Sequence, residues 1–271
     1  VLLSSFTRRQ SKSRPQFDPN RIVDMGSGEN CVLFLHGLFG TPEHWRCVME
    51  RLSDDYRVVA PQLPIDPMPG RRESGINEIR DLSEYVAELI EHLGLGPLVL
   101  CGNSLGGLIS IDLCAQHPSL AKGLILAGSA GLFERSPIGG SRPRPSRKFI
   151  RDTVSGIVHR QELVTDELVD DWYTSVMDRD YVRFILRMSR ATRDRTVEKE
   201  LEHLDLPTMI VWGSEDQITP VSTAYDFRER IRGSRLEFID ECGHAPNWEC
   251  PEQFAELTAG FLPECFADSK K

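Results

Sequence analysis

The chain has 271 residues, 40% of them hydrophobic and 27% charged, with a formal net charge of -9. That length and balance suit a soluble globular protein with one large core and an insertion. The acidic balance argues against nucleic acid as the main partner, since phosphate binding needs clustered Lys and Arg, and no apolar run approaches the ~20 residues of a membrane span.

Residues 1–15 mix Ser with Arg8, Arg9, Lys12 and Arg14 and lack the apolar core of a secretory signal, so they read as a disordered basic tail. The first strand signal is the unbroken apolar run Cys31-Val32-Leu33-Phe34-Leu35. It runs into His36-Gly37-Leu38-Phe39-Gly40, where a chain turning on glycines can aim N–H groups into a site. The N–H of Leu38 is assigned to an oxyanion hole, Phe39 to an extra donor or a pocket wall, and His36 to bracing the loop. Tyr56-Arg57-Val58-Val59-Ala60 is the second strand and stops at Pro61. Residues 76–93 place Ile76, Ile79, Leu82, Val86, Leu89, Ile90 and Leu93 on one helical stripe. Leu98-Val99-Leu100-Cys101 is a strand that meets Gly102-Asn103-Ser104-Leu105-Gly106-Gly107, and residues 104–116 read as the helix that follows. A serine held on a strand-to-helix turn projects its hydroxyl. The helix start offers N–H groups to negative charge, so Ser104 is the candidate nucleophile and Leu105 N–H the second oxyanion donor.

A strand at residues 123–127 is followed by an interval, residues 133–203, without a convincing strand. It opens with a Pro- and Arg-rich stretch at 136–145 and continues with helical patterns at 149–159, 165–177 and 181–190. Strands resume at 208–212 and 236–239, with helices expected at 221–231 and 252–261. Asp216, after the first of these strands, is the candidate acid, with Glu215 its rival. His244, after the second, is the candidate base, which serine needs to lose its proton at neutral pH. The organisation expected is a tail at 1–19, an α/β core at 20–132 and 204–263, a helical cap insertion at 133–203, and a second tail at 264–271. The seven cysteines form no C-x-x-C pair and several sit in apolar runs. They read as free thiols in a reducing compartment, and the expected location is cytoplasmic.

Together these motifs resemble the α/β-hydrolase family over residues 20–263, in the family's order of nucleophile, acid and base: Ser104, Asp216, His244. The resemblance implies an α/β fold with a mostly parallel, eight-stranded sheet, helices on both faces, and a helical cap where residues 133–203 stand. One departure is Gln62, which occupies the place of a common Asp in a proline-rich loop running to Gly70. A serine nucleophile points away from relatives that use Asp there. The leading expectation is a carboxylic ester hydrolase working through a Ser-His-Asp triad and an acyl-enzyme. The alternative is a carbon–carbon hydrolase of ring-cleavage diketones, which the elbow and the His244, Trp248, Glu249 spacing resemble. Those enzymes usually carry Trp directly after the base, where this chain has Ala245, and use a cap arginine, for which Arg183, Arg187, Arg190, Arg193 and Arg195 are candidates. A second alternative is a triad-bearing small-molecule receptor. Asn103, Trp172 and Trp248 join Phe39 as candidate pocket residues. The expected partner is a small-molecule substrate, and no metal or organic cofactor is implied.

Overall fold

The computed structural model describes residues 17–65, 76–135 and 145–267. Its centre is a seven-stranded sheet in the order β1-β3-β2-β4-β5-β6-β7. The strands are β1 (Ile22–Met25), β2 (Cys31–Leu35), β3 (Arg57–Pro61), β4 (Leu98–Asn103), β5 (Ala121–Ala127), β6 (Thr208–Gly213) and β7 (Arg235–Ile239). All neighbours pair in parallel except β1, which runs antiparallel along β3 with Ile22 opposite Pro61. The family resemblance implies eight strands, and the described residues hold seven. The described chain before β1 makes a 3-10 turn, Pro19–Arg21, capped by the Asp18 carboxylate and opened by Pro19, so no strand precedes β1 within it.

Strands β2, β4 and β6 are buried at every position. That is why they read as continuous apolar runs: a parallel strand covered on both faces has no solvent side to alternate with. Helices α2 (Ile79–His92), α3 (Leu105–Gln116) and α8 (Val221–Arg230) cover one face, and α1 (Arg46–Leu52) and α10 (Pro251–Phe266) the other. Helix α2 begins three residues later than its apolar stripe, because Glu78 and Asp81 form a reciprocal capping box that fixes the start. Helix α3 is buried from Leu105 to Cys114, apolar on all sides as a central helix must be.

Between β5 and β6 lie four helices: α4 (Arg147–Ser155), α5 (Asp166–Met177), α6 (Arg179–Asp194) and α7 (Glu198–Glu202). The starts of α4, α5 and α6 are set by side-chain caps. Ser146 accepts from Phe149 N–H, Thr165 from Leu168 N–H, and Asp178 from the N–H groups of Asp180 and Tyr181. The Asp178 cap starts α6 two residues ahead of the expected helix. The insertion packs in two ways. Ile150, Val154, Val158, Val164 and Val169 form a small core of their own, with Trp172 and Trp248 against it. Tyr181, Phe184, Ile185 and Met188 of α6 instead join the main core. No described helix is long and apolar enough to cross a membrane. The Pro/Arg stretch at 136–144, the loop at 66–75 and the basic tail at 1–16 lie outside the described residues.

Candidate active site

The C-terminal ends of β2, β4, β6 and β7 bring the sequence motifs together at one edge of the sheet, where parallel α/β sheets place their sites. Ser104 caps α3 at the end of β4 with φ 54° and ψ -116°, a region non-glycine residues rarely adopt. The strained turn is held from within: Ser104 N–H donates to Ala127 O at 3.0 Å, and Gly107 N–H donates to Ser104 O at 3.0 Å. Gly106 is required by close approach, because a Cβ there would sit 2.0 Å from Leu35 O. Leu105 is the first residue of α3, where helix geometry leaves the N–H without an intrahelical acceptor. Leu38 lies in the turn Gly37–Gly40, closed by Gly40 N–H donating to Gly37 O at 3.0 Å.

Asp216 and His244 meet directly. His244 Nδ1 and Asp216 Oδ2 are 2.9 Å apart, and both side chains are buried. The other Asp216 oxygen accepts from Ile218 N–H at 2.8 Å and Thr219 N–H at 2.9 Å, while Thr219 Oγ1 donates to Oδ2 at 2.7 Å. These bonds fix the carboxylate's plane, leaving one lone pair aimed at the imidazole. Glu215, the rival acid, is exposed. Burial pulls the His244 pKa down, but the Asp216 charge outweighs it, with help from Glu134 and Glu249, so the pKa lies above the ordinary 6.5. Glu134 is a half-buried carboxylate that the sequence reading passed over. Burial raises its pKa against the opposing charges of His244 and Arg193.

The pocket candidates divide by role. Asn103 is buried, and its Nδ2 donates to Ala127 O and His244 O, both at 2.9 Å, so it braces the loop carrying the base. Phe39 and Trp172 pack ring on ring at 4.7 Å, joining the Gly37–Gly40 turn to the insertion. Trp248 stacks on His44 at 4.5 Å with ring planes 10° apart. His36 is buried, with Nδ1 2.8 Å from Gly37 O, and its Nε2 accepts from Leu63 N–H at 3.0 Å. Burial holds its pKa down at about 4, and these contacts brace the loop as expected. Gln62, in place of the usual Asp, reaches the same ring: its Nε2 lies 3.1 Å from His36 Nε2. Among the described residues, no group of His, Cys, Asp and Glu is arranged to hold a metal ion.

A buried carboxylate–imidazole pair, on a loop bonded to Asn103 next to a serine on a strained strand-to-helix turn, is the arrangement of a serine hydrolase. The sequence model of the alpha/beta hydrolase family matches residues 32–257, and the chain belongs to that family of enzymes. Among curated relatives, 2-hydroxy-6-oxo-6-(2'-aminophenyl)hexa-2,4-dienoic acid hydrolase of Metapseudomonas resinovorans is 28% identical over 89% of this chain and 87% of its own. The 2-hydroxymuconate semialdehyde hydrolase of Pseudomonas sp. strain CF600 is 29% identical over 83% of this chain and 82% of its own. Among solved structures, the meta-cleavage product hydrolase of Pseudomonas fluorescens IP01 superposes with a TM-score of 0.78 at 23% identity, covering 90% of this chain and 93% of its own.

Proposed function

We propose that this enzyme hydrolyses a carbon–carbon bond next to a carbonyl, in a diketone acid of the ring-cleavage type, with Ser104 as nucleophile, His244 as base and Asp216 as the acid that orients the base. The observation that carries the triad is the buried 2.9 Å contact between His244 Nδ1 and Asp216 Oδ2, with three further donors holding the carboxylate. With Nδ1–H committed to Asp216, Nε2 is left free to accept the serine proton. Ser104 Oγ then attacks the substrate carbonyl, and the oxyanion is held by Leu38 and Leu105 N–H. The carbon–carbon bond breaks, and His244 returns the proton to the delocalised carbanion that leaves. Water, deprotonated by His244, hydrolyses the acyl-enzyme.

The choice of bond rests on the relatives, which are named as hydrolases of a 2-hydroxy-6-oxo-hexa-2,4-dienoic acid and of 2-hydroxymuconate semialdehyde. Such substrates carry a carboxylate, which calls for a cation. Of the five insertion arginines, Arg183 pairs with Asp180, Arg187 donates to Ile76 O, Arg195 pairs with Asp112 and Glu200, and Arg190 is exposed. Arg193 donates to Ser189 Oγ at 3.0 Å but pairs with no carboxylate in the described structure, and it is the one whose charge acts on Glu134, the carboxylate that also acts on His244. It is the proposed carboxylate-binding residue.

Ester hydrolysis is the second reading, favoured by Ala245 in place of the tryptophan that carbon–carbon hydrolases carry after the base. Both readings use the same triad, so the substrate decides. The test compares turnover of 2-hydroxy-6-oxo-6-phenylhexa-2,4-dienoate with that of p-nitrophenyl butyrate. The proposal expects kcat/KM for the dienoate to exceed that for the ester, both activities to vanish in Ser104→Ala, and Arg193→Gln to raise KM for the dienoate alone. Ester turnover without dienoate turnover would establish the second reading.

A further inference from the structure

Glu249 is a buried carboxylate with no cation of the described residues within hydrogen-bonding distance. A buried charge of that kind is costly unless it is hydrogen-bonded. Here four backbone N–H groups satisfy it. Two flank the candidate base: Gly243 N–H donates to Oε2 and Ala245 N–H to Oε1, both at 3.1 Å. Two come from the insertion, just after α4: His159 N–H at 2.7 Å and Arg160 N–H at 3.2 Å, both to Oε2. The same two strips of chain are joined again by His244 N–H, which donates to Ile157 O at 2.9 Å. The approach is so close that a Cβ on Gly243 would lie 2.6 Å from His159 N and 2.8 Å from Ile157 O. The carboxylate therefore grips the residue on either side of His244 and ties both to the insertion.

We infer that Glu249 is a positioning residue for His244: its carboxylate clamps the His244 loop to the insertion, setting the imidazole where it can reach Ser104. The inference rests on His244 being the base of the proposed reaction. A glutamine at 249 keeps one acceptor oxygen, but its NH2 group faces N–H donors and can bond none of them. A small displacement of a reacting group is costly in rate, because the bound geometry has to be a near-attack one.

The test measures kcat, KM and the pH profile of p-nitrophenyl butyrate hydrolysis for Glu249→Gln, with folding checked by circular dichroism and His244→Ala as control. The charged groups acting on His244 are Asp216, Glu134 and Glu249, all negative, so removing one lowers the imidazole pKa. The expected result is a folded protein with kcat reduced by roughly tenfold or more, KM changed less than twofold, and the acid limb of kcat/KM moved to lower pH. A folded Glu249→Gln protein with unchanged kcat and an unmoved acid limb overturns the clamp. If that variant does not fold, the comparison is Arg160→Pro with Arg160→Ala. Proline suits the Arg160 φ of -77° and removes only the N–H bonded to Glu249. A lower kcat in the proline variant supports the clamp, and equal kcat overturns it. Activity surviving in His244→Ala would indict the base assignment instead of the clamp.

Discussion

Asp216 has four hydrogen bonds in the structure, and only one of them, that to His244 Nδ1, bears on chemistry directly. The other three explain why Asp216 rather than Glu215 was preorganised for this place. Asp216→Asn keeps the shape but presents an NH2 group toward Nδ1, which favours the wrong imidazole tautomer. In this account kcat falls by roughly 10⁴-fold, read by single-turnover kinetics, while Glu215→Gln stays near wild type. The pH dependence has a definite sign. As the proposed base, His244 works only when neutral, and its pKa lies above 6.5, so kcat/KM is expected to drop on the acid side with an apparent pKa above that value. Asp216→Asn removes the largest charge holding the pKa up, so its residual activity has an acid limb at lower pH. A profile in which the two limbs coincide contradicts the pairing. At this scale the four motifs were readable because each couples a strand end to glycine or a special residue. Thr219 was not: its Oγ1 bond to Asp216 arises from a tight side-chain turn three residues on, a local pattern common at loops without chemistry. Glu249 was read as part of a motif, but two of its four partners, His159 and Arg160, lie 90 and 89 residues away, and nothing local reports those two.

Among the elements, α3 carries the proposed nucleophile at its N-terminus, so its seating matters for Ser104. The seating depends on a buried carboxylate: Asp112 accepts from Ser83 Oγ of α2 at 2.7 Å and from Arg195 Nη2 at 3.0 Å, and Gln116 donates to it as well. Arg195, which follows α6, also binds Glu200 of α7 at 2.6 Å. One carboxylate thus joins the elbow helix to α2 and to the chain returning from the insertion. Asp112→Ala takes one acceptor from the Ser83 hydroxyl, which keeps Arg80 O at 3.0 Å, and one from the Arg195 guanidinium, which keeps Glu200. Arg195 is about a third exposed, so water screens part of that loss, and the expected destabilisation is about 2 kcal/mol, read as a lower urea midpoint with unchanged m-value. A midpoint equal to wild type would show that the network contributes nothing. The sequence located α2, α3, α8 and α10 because their apolar residues recur at helical spacing or fill the whole surface. It missed β1, a four-residue edge strand with no fully buried position, and the short helices α1 and α7. Those elements take their form from neighbours, which single-sequence periodicity does not register.

At the scale of the whole molecule, a mostly parallel sheet places Ser104, Asp216 and His244 at its C-terminal edge from positions spread over 140 residues of chain. The anchors of the insertion between β5 and β6 include the α6 face in the main core, the Phe39–Trp172 ring contact, the Arg195–Asp112 pair and the Glu249 bonds. The family was legible in the sequence, since four motifs in one order rarely agree without the fold that unites them. The bond that is cleaved was less legible, because substrate choice rests on side chains of the insertion, where helical packing and pocket lining produce the same apolar pattern. Tyr181, Phe184 and Met188 illustrate this: all three belong to the core. The central claim is that Ser104 is activated by His244. It is tested most directly by incubating the protein with a fluorophosphonate and locating the label by peptide mass spectrometry. The account predicts a single adduct on Ser104 in the wild type and none in folded His244→Ala. Labelling elsewhere, or equal labelling of Ser104 without His244, would contradict it.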